Sequence, residues 1–197
     1  MSWFFDMLSA AVYAIFVQNL VFSGGYGTSE AIRMAARPKR LASVAGMIIY
    51  FSTVSAVICR LIDNTAWASR QNQSVHFIIF LGVLCTVYFV TCALTILILK
   101  PDKKLLTKFG IAAMNTLVLA IPLINYRSAS TLWESIGTGF GSGVAFVVAS
   151  VLISTGFIKI AHNKKIPPVF RGAPIMFIYV AVLSMTFMGI SGSNVFA

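Results

Sequence analysis

Few side chains in this sequence can do chemistry. Five acids are present, Asp6, Glu30, Asp63, Asp102 and Glu134, beside two histidines, His76 and His162, and three cysteines, Cys59, Cys85 and Cys92. Glu30 follows the run Ser23-Gly24-Gly25-Tyr26-Gly27 and precedes Arg33 by three residues. An ionisable group at membrane depth needs a partner and marks a pathway. The spacing to Arg33 also permits a simpler role, an i,i+3 ion pair near one membrane edge. Asn19 and Asn115 carry amides within apolar stretches. They either hydrogen-bond between helices or line an ion or cofactor site. Cys85 and Cys92, seven apart, share a helix face with no histidine or acid between them, so they read as small packing residues. His76 is expected to be solvated or interfacial at an outer boundary, and His162 to be solvated in a basic loop. Asp102 is expected to be solvated in a charged turn. No P-loop, GxGxxG, CxxC or HExxH motif occurs.

The elements that must position these residues are apolar. Of 197 residues, 58% are hydrophobic and 10% charged. That is too few charges to cover a water-facing surface, since soluble domains carry about 25%. Apolar runs long enough to cross a hydrocarbon core of roughly 30 Å predict an all-α integral membrane protein with six spans. They cover about residues 3–22, 41–62, 75–99, 105–124, 136–160 and 173–190. The first ends in the glycine run, and the fourth contains Pro122, which lacks the backbone donor a helix interior needs. Gly137, Gly139, Gly141 and Gly143 open the fifth and permit close helix approach. The first stretch has no basic leader and no A-x-A cleavage site, so it reads as a span and not as a signal peptide.

The net charge of +10 comes from short loops and forms no continuous stripe, which argues against a nucleic-acid surface. Arg33, Arg37, Lys39 and Arg40 fill the first loop; Lys100, Lys103, Lys104 and Lys108 the third; Lys159, Lys164, Lys165 and Arg171 the fifth. The second and fourth hold only Arg60, Arg70 and Arg127. The bias places the odd loops in the cytoplasm and both termini outside. That orientation puts Asp6 near the outer terminus and Asp63 and Glu134 in outer loops. Three spans followed by three more make the halves, about residues 1–100 and 101–197, inverted relative to each other within one transmembrane domain. Interrupted spans at corresponding positions point to an inverted repeat with a midplane site. Asn19, Gly24, Gly25, Gly27, Glu30 and Asn115 are the broken-helix and ion-path candidates.

The last third carries a more specific pattern. Glu134-Ser135-Ile136 precedes Gly139-Phe140-Gly141-Ser142-Gly143, and Ile166-Pro167-Pro168-Val169-Phe170-Arg171-Gly172 precedes Phe187-Met188-Gly189-Ile190-Ser191-Gly192. With Asn115 to Asn125 and Val17-Gln18-Asn19, this series resembles the RnfA/NqrE subunits of Rnf and Na⁺-translocating NADH:quinone reductase complexes. The resemblance implies two inverted three-helix repeats with helices 1 and 4 interrupted. It implies a paralogous RnfE/NqrD-like partner of inverted topology, further complex subunits and a bacterial or archaeal plasma membrane. It also implies a [2Fe-2S] cluster shared with that partner, to which each subunit gives two cysteines.

The chain departs from that pattern at the ligands. The cluster positions fall on Ser29 and Thr116, and the three cysteines stand elsewhere. Hydroxyls are poor substitutes for thiolates on iron–sulfur iron. The expectation is therefore a subunit of an ion-translocating electron-transport complex whose cluster relay is lost or altered, with no cofactor assigned. The alternatives are a repurposed secondary transporter or channel-like protein using the broken-helix site, and an assembly subunit with neither cofactor nor path.

Overall fold

The computed structural model describes residues 2–35, 38–99, 103–163 and 165–192. Asp102 lies outside these, as do Arg37, Lys100 and Lys164 of the basic loops. All regular structure among the described residues is helical. In chain order the helices are α1 (Ser2–Val12), α2 (Leu20–Ser23), α3 (Thr28–Ala35), α4 (Pro38–Asp63), α5 (Gln73–Leu99), α6 (Lys103–Ala113), α7 (Thr116–Arg127), α8 (Leu132–Ala161) and α9 (Ala173–Ser191).

Five stretches are long and apolar enough to cross a membrane: Arg40–Asp63, Gln73–Ile98, Leu105–Arg127, Leu132–Ile160 and Ala173–Ser191. The sixth expected span is divided. A π-helical turn, Tyr13–Val17, widens the end of α1, and the chain leaves the helix at Gln18, so the apolar run Trp3–Val17 is short. The break thus precedes the glycine run. In the fourth span it falls between Ala113 and Thr116 and not at Pro122, which sits inside a continuous α7. Asn115 caps the restart, whereas Pro122 removes one backbone donor without ending the helix.

The centre of the molecule is α8, which packs along α4 and α1 and also touches α3 and α7. The four glycines of its first half divide between two partners. A Cβ on Gly141 would stand 2.8 Å from the Ala11 Cα of α1, and one on Gly143 would stand 2.7 Å from the Ile49 Cα of α4. Ser52 Oγ donates to the Gly139 carbonyl at 2.8 Å across the same seam. Ile48, Phe51, Leu117, Phe146 and Ile153 fill the core around it. By contrast α5 and α9 keep wide apolar faces outward, with Ile78, Phe89, Leu97 and Phe177 more than half exposed, as suits lipid or a partner subunit. Replacing Gly143 by alanine is expected to destabilise the fold by about 1–3 kcal/mol, because the obstacle is backbone and cannot swing away. Thermal unfolding in detergent reads this. An unchanged midpoint would mean that α4 and α8 separate without loss.

Candidate functional site

Both breaks are built on the same device. Asn19 is the N-cap of α2, with φ −67° and ψ 100°, and its Oδ1 accepts from the Val21 amide at 3.1 Å. Asn115 is the N-cap of α7, with φ −73° and ψ 130°, and its Oδ1 accepts from the Leu117 amide at 2.9 Å. In each case the side chain satisfies an amide that the first helical turn leaves open. Asn19 is fully buried, and its Nδ2 lies 3.4 Å from the Ala145 carbonyl of α8, so it also ties α2 to the central helix.

The chain turns back after α2 through Gly25 and Gly27, both at positive φ, and starts α3 at Thr28. Thr28 Oγ1 donates to the Val21 carbonyl at 2.9 Å and closes this turn. The Gly27 amide then donates to Thr116 Oγ1 at 2.9 Å, joining the start of α3 to the start of α7 across 89 residues. The starts of α3 and α7 therefore meet, each presenting the positive end of a helix dipole.

A cavity of about 290 Å³ lies where they meet. Gly25, Gly27, Ser29, Glu30, Asn115 and Thr116 line it, together with Thr28, Arg33, Ile111 and Met114. Six of the eight sequence candidates are thus brought together. Asn19 and Gly24 are not; the first is packed behind α2, and the second precedes the turn beside the Tyr26 ring. Ser29 and Thr116 are exposed, so the cavity opens toward the surface of the chain. Glu30 is buried and forms the expected pair, with Arg33 Nε donating to Oε2 at 3.0 Å. Its other oxygen, Oε1, is buried without a partner, and so is Asn115 Nδ2. The lining therefore holds three hydroxyls, of Thr28, Ser29 and Thr116, the Arg33 guanidinium, one unpartnered carboxylate oxygen and one unpartnered amide nitrogen.

No thiol lines it. Cys59 is buried in α4, and Cys85 and Cys92 are half-buried on α5. Among the described residues no three His, Cys, Asp or Glu side chains are grouped to hold a metal. The Thr116 hydroxyl is moreover engaged with Gly27. The residues present do not fit a thiolate-held cluster.

His76 differs from the sequence expectation. It is fully buried, and it stacks on Tyr126 of α7 with ring centroids 4.0 Å apart. Its Nδ1 lies 2.8 Å from Asp63 Oδ1 and its Nε2 lies 3.0 Å from the Ala68 carbonyl. The loop between α4 and α5 folds over the ring and removes it from solvent. One sequence signal was available: Asp63 ends α4, where an anion is unfavourable without a nearby cation or donor.

Residues 7–193 match the family described as "Rnf-Nqr subunit, membrane protein". Among relatives, the E subunit of a Na⁺-translocating NADH-quinone reductase from Marinobacter nauticus is 24% identical over 94% of this chain and 96% of its own length. The A subunit of an ion-translocating oxidoreductase complex from Pasteurella multocida is 28% identical over 78% and 82%. The A subunit of a Na⁺-translocating ferredoxin:NAD⁺ oxidoreductase complex from Acetobacterium woodii is 24% identical over 98% of both.

Proposed function

The chain belongs to the Rnf-Nqr family of membrane subunits, and on that premise we propose that it serves as a membrane-embedded subunit of an ion-translocating oxidoreductase complex. Relatives with that role match it over nearly their whole length. The proposal includes a single domain of two inverted repeats, 1–100 and 101–197, with both termini outside. The matching caps at Asn19 and Asn115 support the repeat, and the basic odd loops support the orientation. It includes a paralogous RnfE/NqrD-like partner, for which the exposed Ser29 and Thr116 offer an open edge. It places the chain in a bacterial or archaeal plasma membrane.

The electron relay is the part that changes. The observation that carries this is the donor set of the cavity, in which Ser29 and Thr116 occupy the two helix starts and no cysteine reaches them. A [2Fe-2S] cluster needs four ligands, almost always thiolates. What this chain retains is the broken-helix geometry itself, with Glu30 and Asn115 offering buried polar atoms to an ion path.

Anaerobic purification of the tagged chain with its complex, followed by iron and sulfide analysis and electron paramagnetic resonance, tests both parts. Co-purifying family subunits and no cluster signal assignable to this chain are expected. Isolation without any such subunit would overturn the role. A [2Fe-2S] signal abolished by Cys59→Ser, Cys85→Ser or Cys92→Ser would overturn the loss of the relay.

A further inference from the structure

A second polar space lies at the other end of α7. A cavity of about 440 Å³ is lined by Gln18, Asn125, Glu134 and Thr138, with Tyr13 and Ser128 at its sides. A narrower space shares Gln18, Asn125 and Thr138 with it and continues inward to Ser142, beside Leu20 and Ile121. Asn125 stands at their junction. It is 3% exposed, and its Nδ2 has no partner.

The structure shows one hydrogen-bond arrangement around Asn125, and the same groups permit a second. Thr138 Oγ1 donates to Asn125 Oδ1 at 2.8 Å, and the same hydroxyl is 3.1 Å from the Ser135 carbonyl. A hydroxyl has one proton to give. When that proton goes to Ser135, the amide turns over, Nδ2 donates to Thr138 Oγ1, and Oδ1 faces the cavity. The junction then presents amide and hydroxyl oxygens, hard ligands suited to a small alkali cation and poor for a soft metal. The charged residue of the cavity lining is the acid Glu134, which favours cations at the mouth.

The two cavities do not meet. They share no lining residue, and Leu117 and Val118, which stand on α7 between Thr116 and Asn125, are fully buried. Thr116 and Asn125 are nine residues apart, roughly 13 Å along the helix. Each cavity abuts one break: the first touches Asn115, and the second touches Gln18 beside Asn19.

We infer that Asn125, with Thr138 and Gln18, ends a water-filled half-path for a small monovalent cation, opening on the opposite side of the bilayer from the cavity at Ser29 and Thr116. This rests on the reading of the chain as an ion-translocating subunit. Its test does not depend on redox activity.

Single cysteines are placed in a complex whose chain carries Cys59→Ser, Cys85→Ser and Cys92→Ser, and a membrane-impermeant cationic methanethiosulfonate is added to right-side-out and to inverted vesicles. Arg40→Cys, exposed at the start of α4, marks the side of the first cavity. Ser128→Cys, exposed at the rim of the second, marks the other. Thr138→Cys is expected to react from the Ser128 side only. Labelling of Gln18→Cys is expected to slow when sodium chloride replaces choline chloride, and Asn125→Leu should abolish that protection. Thr138→Cys that stays unreactive while Ser128→Cys reacts, or that reacts from the Arg40 side, would overturn the half-path. Labelling indifferent to sodium would overturn the cation. Either result leaves the co-purification and iron measurements standing, so the two proposals fail separately.

Discussion

Gly27→Val is expected to destabilise the protein by about 2–5 kcal/mol and to separate the starts of α3 and α7. Two effects add. Gly27 has φ +75°, a left-handed conformation in which a β-branched residue is strained by about 1–2 kcal/mol. A Cβ there would also stand 2.7 Å from Asn115 Oδ1 and 3.3 Å from Leu117 Cβ, overpacking a closed joint for a further 1–3 kcal/mol or so. Asn115 cannot retreat without giving up the Leu117 amide, and the backbone cannot shift without losing the bond from Gly27 to Thr116. Gly25→Val is the control. Gly25 has φ +69° but nothing within 4 Å of a Cβ, so it meets the backbone strain alone. Thermal unfolding in detergent, with recovery of the assembled complex, compares the two. Equal losses at Gly25 and Gly27 would show that the joint tolerates a side chain and is not the close contact described.

The second large effect lies at the buried histidine. His76→Ala should destabilise by about 3–5 kcal/mol, because it leaves the Asp63 carboxylate buried at a helix C-terminus without its partner. The Asp63 side chain is 4% exposed and has little access to water. Asp63→Asn should have a much smaller effect. A carbonyl only accepts, so Nε2 must carry a proton to bond Ala68. One further proton is then shared between Nδ1 and Asp63 Oδ1. An asparagine amide can donate to Nδ1 of the neutral ring and keep both bonds. Loss of stability in Asp63→Asn as large as in His76→Ala would mean that the charge, and not the hydrogen-bond pattern, holds the loop between α4 and α5.

Much of the scaffold was legible because membrane helices must satisfy their own backbone and expose apolar side chains. The second, third, fifth and sixth spans match α4, α5, α8 and α9 to within a few residues. The Glu30–Arg33 pair was legible because i,i+3 contacts are local. The position of the breaks was less so. The glycine run and Pro122 are the louder signals, yet the helices restart on Asn19 and Asn115. The quieter signal was there: Asn19-Leu20-Val21 and Asn115-Thr116-Leu117-Val118 are both N-caps before apolar runs.

The sequence by itself determined that this chain is a helical membrane protein of the Rnf-Nqr family, because span length, apolar composition and family motifs are all local along the chain. Only the tertiary structure decided which residues meet. It set Gly27 against Asn115 and Thr116, gathered Ser29 and Glu30 around the same cavity, placed Asn125 beside Thr138 and buried His76 beneath Tyr126. Those contacts depend on how far α8 lets its neighbours approach and on where each broken helix restarts. Periodicity does not encode such distances, and packing fixes them.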